Sequence, residues 1–136
     1  KRARGFHLGI IIFVLFGFGA LLIGAFHTDP VGAARTIEGR IHGFSASASF
    51  SLFPVALLLL AYSLKKDPNW KHLFRYTGVT FILAVILGVV LKILQEKSGW
   101  FGLVERLLVA DMIIWVEVAA VNLLRLSLAR NVKRQT

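Results

Sequence analysis

Four long apolar stretches constrain this chain more than any other feature of its sequence. They lie at about residues 8–26, 41–64, 76–94 and 107–128. A helix needs roughly 20 apolar residues to cross a bilayer, and each stretch is close to or above that length. Because a backbone in lipid has to satisfy its hydrogen bonds internally, each stretch is predicted to be a helix. The prediction is an all-α polytopic transmembrane bundle, with four spans in one domain over residues 1–136.

The composition excludes a soluble domain. Hydrophobic residues make up 57% of the chain, charged residues make up 17%, and the mean hydropathy is +0.73. Soluble domains are about 45–50% apolar and about 25% charged. The formal net charge of +9 is also found in nucleic-acid-binding proteins. Here the charges form short clusters between apolar stretches, so no nucleic-acid partner is predicted.

Lysine and arginine are distributed unevenly between the two ends of the predicted bundle. Eleven of the sixteen precede the first span, lie between the second and third, or lie at or beyond the C-terminal end of the fourth, where Arg125 is counted. Since short cytoplasmic loops are enriched in these residues, we expect both termini and the 65–75 loop to be cytoplasmic. The chain begins at Lys1 with a basic segment directly before a span. This resembles a loop between two spans and predicts a fragment of a longer protein.

Serines at four-residue spacing in the second span are typical of close helix packing. Ser45 and Ser49 form one such pair, and Ser47 and Ser51 form another. Small residues allow transmembrane helices to approach each other. The alternative is a serine-lined path or a serine nucleophile; we expect packing, with hydroxyls bonded to carbonyls of the preceding turn.

Polar residues gather where the first span ends and where the second and fourth spans begin. In a four-span chain these places share one membrane face, here the predicted external face. We expect one network, because an unpaired charge near hydrocarbon is costly. The alternatives are a site for a lipid headgroup or small anion, and a catalytic centre. The candidate residues are Asp29, Thr36, Arg40, His42, Glu105 and Arg106.

Two histidines near this face raise the question of a metal or a haem, since imidazole commonly ligates both. His27 and His42 lie at span ends, whereas a haem held by two histidines needs them facing each other within the membrane. The CxxC and HExxH patterns of zinc sites do not occur. No metal and no cofactor are predicted; contact with a haem or a pigment stays open.

The fourth span differs from the others because it contains two acids. Intramembrane acids usually face protein or water. Asp111, Trp115 and Asn122 share one helix face, whereas Glu117 lies about 120° away. We therefore expect one acid to face the chain's own bundle and the other to face another subunit, an absent span or a cofactor. The alternative is a proton or ion path through Asp111 and Glu117.

Three motifs between the spans resemble those of a bacterial integral membrane family catalogued as domain of unknown function 998. They are Thr28-Asp29-Pro30, the T-x-x-G-x-x-H run over residues 36–42, and the segment 102–107 before the last span. Members of that family are six-span proteins, which implies two spans upstream of those seen here. The resemblance implies no catalytic residue, and Asp111 and Glu117 are not part of the pattern.

These observations predict a multi-pass protein of the bacterial inner membrane. Its predicted role is that of a structural or accessory subunit, with membrane lipid and either other membrane subunits or further copies of itself as partners. One alternative is a protein that binds or modifies a lipid headgroup at its external face. The other is a small proton or ion transporter. An enzyme is not the favoured interpretation.

Overall fold

Four helices make up the fold. The computed structural model describes residues 2–65, 68, 70–94 and 98–135. The helices are α1 (Arg2–Ala25), α2 (Ile37–Leu64), α3 (Lys71–Ile93) and α4 (Phe101–Gln135). No strand occurs among the described residues. The predicted all-α fold is therefore confirmed.

Each helix includes a segment long and apolar enough to cross a membrane. These segments are Gly5–Ala25, Ile37–Leu64, Lys71–Ile93 and Phe101–Asn131. The helices extend beyond the predicted spans, most clearly in α4. Hydropathy detects only the apolar part of a helix, whereas backbone hydrogen bonding continues into polar flanks. The chain is therefore a multi-pass helical membrane protein with longer helices than its apolar stretches.

The helices pack in chain order, α1 on α2, α2 on α3 and α3 on α4. Because neighbouring helices run in opposite directions, two loops lie at one end of the bundle and one at the other. The end where α1 finishes and α2 and α4 begin is called the Asp29 end. The opposite end, where α2 finishes and α3 begins, is called the Trp70 end.

Aromatic rings form the centre of the core. Phe53 is fully buried, and its ring centroid lies 5.1 Å from that of Phe16 and 6.1 Å from that of Trp115. Phe13 contacts the Trp115 ring edge-on at 5.5 Å and links α1 to α4. The indole Nε1 of Trp115 donates a hydrogen bond to Thr77 Oγ1 at 3.1 Å. One tryptophan thus contacts residues from all three other helices.

Close packing of α1 and α2 depends on small side chains. A β-carbon on Gly19 would collide with Ser49 Oγ, and one on Gly9 would crowd Leu60. Ser45 and Ser49 are both buried. Away from this contact, Ser51 Oγ donates to the carbonyl of Ser47, four residues earlier, at 2.9 Å. These observations agree with a packing role for the serines.

Candidate functional site

The start of α2 is capped by Thr36, and Asp29 holds that cap in place. Thr36 Oγ1 accepts a hydrogen bond from the Gly39 amide at 3.0 Å, which satisfies one of the free amides at a helix start. The Asp29 carboxylate accepts two hydrogen bonds from Thr36, from its amide at 2.9 Å and its hydroxyl at 2.7 Å. Asp29 therefore ties the end of the α1–α2 loop back to its beginning.

Gly39 is required at this position by the carboxylate beside it. A β-carbon on residue 39 would collide with the side chain of Asp29. The Thr and Gly of the T-x-x-G-x-x-H run therefore have separate structural roles. Thr36 provides the cap, and Gly39 leaves room for the acid that holds Thr36.

His42 completes the same arrangement one turn further along α2. Its Nδ1 lies 2.8 Å from the carbonyl oxygen of Phe26, just beyond the end of α1. A carbonyl oxygen only accepts hydrogen bonds, so Nδ1 has to be the protonated nitrogen. In that tautomer Nε2 carries a lone pair that can accept a hydrogen bond.

A cavity of about 850 Å³ opens beside this loop, between α2, α3 and the start of α4, and is called the Asp29 cavity. Its wall near the Asp29 end contains two acids, a lysine and a histidine. Further along α2 and α3 the wall is mainly apolar. The ionisable lining residues are Asp29, His42, Lys92 and Glu105, and the deeper ones include Phe50, Pro54, Ala84, Val85 and Val89.

The charged network expected at this end is present only in part. Asp29, Thr36 and His42 belong to the hydrogen-bonded loop, and Glu105 lines the same cavity as Asp29 and His42. Arg106 is exposed and forms no ion pair with the side chains that the structure describes. The Asp29 carboxylate is already bonded by Thr36. The expected Asp29–Arg106 contact is therefore not formed.

Arg40 is likewise exposed and outside the hydrogen-bonded loop. It lines a neighbouring surface cavity of about 1000 Å³ together with Arg35. At this end His27 Nδ1 lies 3.8 Å from Glu38 Oε2, a contact that forms an ion pair only with a protonated imidazole, and both side chains are largely exposed. Exposed pairs contribute little to stability. In the described part of the chain no three His, Asp or Glu side chains are placed to hold a metal ion.

Lys92 and Phe26 belong to the site but were not among the predicted residues. Lys92 is the only lysine or arginine within the third apolar stretch. An isolated positive charge close to the end of a span could therefore have identified it from the sequence. Phe26 contributes a backbone carbonyl. No side-chain pattern could have identified that atom.

The fourth helix places its two acids in different surroundings. Trp115 and Asn122 are buried, and Asp111 is half-buried with a buried Oδ2 that has no hydrogen-bond partner. The Nδ2 of Asn122 also lacks a partner. Glu117 is exposed. Asp111 therefore faces the bundle, and Glu117 faces away from it.

Comparison with known proteins places the chain in a family. The model of a family described as "Protein of unknown function (DUF998)" matches residues 1–122. This range includes all three loop motifs and most of α4. No curated protein and no solved structure match the chain.

Proposed function

Because the chain belongs to the family described as "Protein of unknown function (DUF998)", its geometry has to indicate its role, and we propose that it binds a zwitterionic membrane lipid in the Asp29 cavity. One observation carries the proposal. The cavity is ionisable at the end of the bundle and apolar further in. A phospholipid likewise has a charged headgroup at one end and apolar acyl chains at the other.

Lys92 and Glu105 provide groups of opposite charge for the headgroup. Both line the cavity, and they form no ion pair with each other. A lysine ammonium donates to phosphate oxygens, and a carboxylate accepts from an ammonium group. A phosphoethanolamine headgroup contains both of these partners. Asp29 contributes less to binding because its carboxylate already accepts two bonds from Thr36.

His42 adds an acceptor to the same wall. Its Nδ1 proton is directed at the Phe26 carbonyl, so Nε2 of the neutral ring is available to a donor. The ammonium or hydroxyl of a headgroup is such a donor. His42 therefore acts as a binding residue in this proposal, and no chemical step is assigned to it.

The apolar part of the cavity is long enough for part of an acyl chain. Along α2 the lining residues extend from His42 to Pro54, a distance of about 18 Å at 1.5 Å per helical residue. Drug-sized ligand sites are typically about 300–1,000 Å³ and mostly apolar, with few polar groups. The volume of about 850 Å³ lies within that range.

Native mass spectrometry of the detergent-solubilised full chain tests this proposal. Delipidated protein is mixed with equal amounts of phosphatidylethanolamine and phosphatidylcholine, whose quaternary amine cannot donate a hydrogen bond. We expect phosphatidylethanolamine to bind more tightly. Lys92→Met and Glu105→Gln should each lower its occupancy.

Arg106→Gln is the matched control, because Arg106 is next to Glu105 and does not line the cavity. Its lipid occupancy should equal that of the unmodified chain. Equal binding of both lipids, or normal phosphatidylethanolamine occupancy in both cavity variants, would contradict the proposal.

A second candidate function is that of an accessory subunit, and Glu117 favours it. The residue is exposed on α4, eight residues before Arg125 and twelve after Glu105. At 1.5 Å per residue it lies about 12 Å and about 18 Å along the helix from these two residues, and Asp111, the acid between Glu105 and Glu117, faces the bundle. A carboxylate at that depth needs a partner outside this bundle. Another membrane subunit or a second copy of the chain can provide it.

Blue native electrophoresis of membranes solubilised in mild detergent tests the subunit role. We expect Glu117→Leu to change the size of the assembly. Leu124→Ala is the control, because Leu124 is also exposed on α4 but uncharged. Normal assembly of Glu117→Leu with altered proton flux in vesicles would favour the transport alternative.

We further propose that the protein lies in the bacterial inner membrane with both termini in the cytoplasm. The support is the excess of basic residues at the Trp70 end. Because the chain has no cysteine, single cysteines can report the orientation. In intact cells an impermeant thiol reagent should label Ser98→Cys and not Asn131→Cys. The reverse labelling would invert the orientation.

A further inference from the structure

We propose that the Trp70 end of the bundle binds an anionic phospholipid, at a site separate from the Asp29 cavity. The site combines an apolar groove for an acyl chain with a smaller basic cavity for the phosphate. The two adjoin each other, since Trp70 and Leu123 line both. This inference does not depend on the lipid proposed for the Asp29 cavity.

The apolar part is a groove between α1 and α4 with a volume of about 860 Å³, called the Trp115 groove. Residues from all four helices line it, and nearly all of them are apolar. Its aromatic residues are Phe6, Phe13, Trp70 and Trp115, together with His7 near the end of the bundle. Bilayer hydrocarbon surrounds such a groove, so an acyl chain can enter it without leaving an apolar environment.

The polar part is a cavity of about 340 Å³, called the Arg130 cavity. Its polar lining residues are Ser127, Arg130 and Asn131, all on α4. A guanidinium, a hydroxyl and an amide can all donate hydrogen bonds to phosphate oxygens. Trp70 lies at the boundary with the groove, and interfacial tryptophans occupy this headgroup level.

The charge at this end favours an anionic lipid. Basic residues at this end include Lys65, Lys71, Arg75, Arg125 and Arg130, and no aspartate or glutamate lies among the residues described there. Asp67, an acid of the α2–α3 loop, lies outside the described residues. Basic pockets between transmembrane helices are typical sites for anionic headgroups.

The contact between Phe13 and Trp115 prevents another helix from inserting between α1 and α4 at this point. The rings of Phe13 and Trp115, on α1 and α4, are 5.5 Å apart at their centroids. A helix with its side chains is about 10–12 Å across, so it cannot pass between α1 and α4 where these rings meet. An acyl chain can lie against the same rings.

Native mass spectrometry of the delipidated full chain with phosphatidylglycerol and phosphatidylcholine tests the proposal. We expect phosphatidylglycerol to bind more tightly. Arg130→Gln should weaken its binding by about fivefold, as expected for one basic residue near a lipid phosphate. Ala120→Trp should prevent binding by filling the Trp115 groove, and Ala120 is exposed, so the buried core is not disturbed.

Arg106→Gln is again the control, since it removes an arginine from the same helix at the Asp29 end. It should bind phosphatidylglycerol normally. The proposal is overturned if phosphatidylcholine binds equally well, if both variants retain phosphatidylglycerol, or if inorganic phosphate alone displaces the lipid. It is also overturned if Ala120→Trp removes a second copy of the chain instead of a lipid.

Discussion

The carboxylate of Asp29 occupies the space that a β-carbon on residue 39 would need, so Asp29 and Gly39 fit together as a pair. The same carboxylate accepts both hydrogen bonds from Thr36, the residue that caps α2. The contacts of this loop are therefore local. It sets where α2 begins and how the α1–α2 loop returns to it.

Replacement of Gly39 by alanine should lower stability by about 1–2 kcal/mol, because the new methyl group displaces Asp29 and weakens the cap. Thermal unfolding in detergent measures this loss. Gly43→Ala is the control on the same helix, since no atom lies within 4 Å of a β-carbon there. It should be neutral or stabilising by up to about 1 kcal/mol. Equal effects at both glycines would contradict the pairing.

Asp29→Ala should also destabilise the protein, by about 0.5–2 kcal/mol, because Thr36 loses both of its acceptors. Asp29→Asn retains one side-chain oxygen and should cost less. Arg106→Ala should change stability by no more than about 0.5 kcal/mol, as for other surface substitutions. Urea unfolding in detergent compares the three variants. A large loss for Arg106→Ala would indicate a charge network after all.

The contact between Gly19 on α1 and Ser49 on α2 can be tested with a pair of compensating substitutions. Gly19→Ala should destabilise by about 1–3 kcal/mol, because the added methyl group meets Ser49 Oγ. Ser49→Ala removes that atom, which is buried without a partner, so this change alone should be neutral or stabilising. The double variant should recover most of the loss in a thermal melt. Additive effects would place Gly19 and Ser49 out of contact.

The hydrogen bond between Trp115 and Thr77 should be sensitive to the loss of its acceptor. Thr77→Val leaves the buried indole N–H unpaired, at a cost of about 1–3 kcal/mol. Thr80→Val is the comparison, since Thr80 is buried on the same helix and does not bond to Trp115. Thermal unfolding followed by tryptophan fluorescence measures both variants. A similar change for both would exclude a specific role for the bond.

The four helices were predictable because length and apolarity alone decide which segments can cross a bilayer. The helix ends were less predictable. The cap of α2, Thr36, lies five residues before the apolar stretch of that helix, and α4 continues to Gln135, beyond the charges after Leu128. Apolar patterning carries no information about caps or polar helical turns.

The composition of the site was predictable only in part, because charge alone does not identify a partner. Asp29 was expected to pair with an arginine at the same membrane face. Its actual partners are the amide and hydroxyl of Thr36, seven residues away. His42 uses a backbone carbonyl, and every residue has one. Such contacts depend on the path of the loop, which the residue types do not specify.

The hydrogen-bonded α1–α2 loop has a consequence for biosynthesis. The Asp29–Thr36 and His42–Phe26 hydrogen bonds and the Gly19–Ser49 contact all join residues that precede Lys65. A nascent chain can therefore complete this helical hairpin before the ribosome has synthesised α3. The hairpin can enter the membrane as a paired unit and serve as the template on which α3, and then α4, assemble.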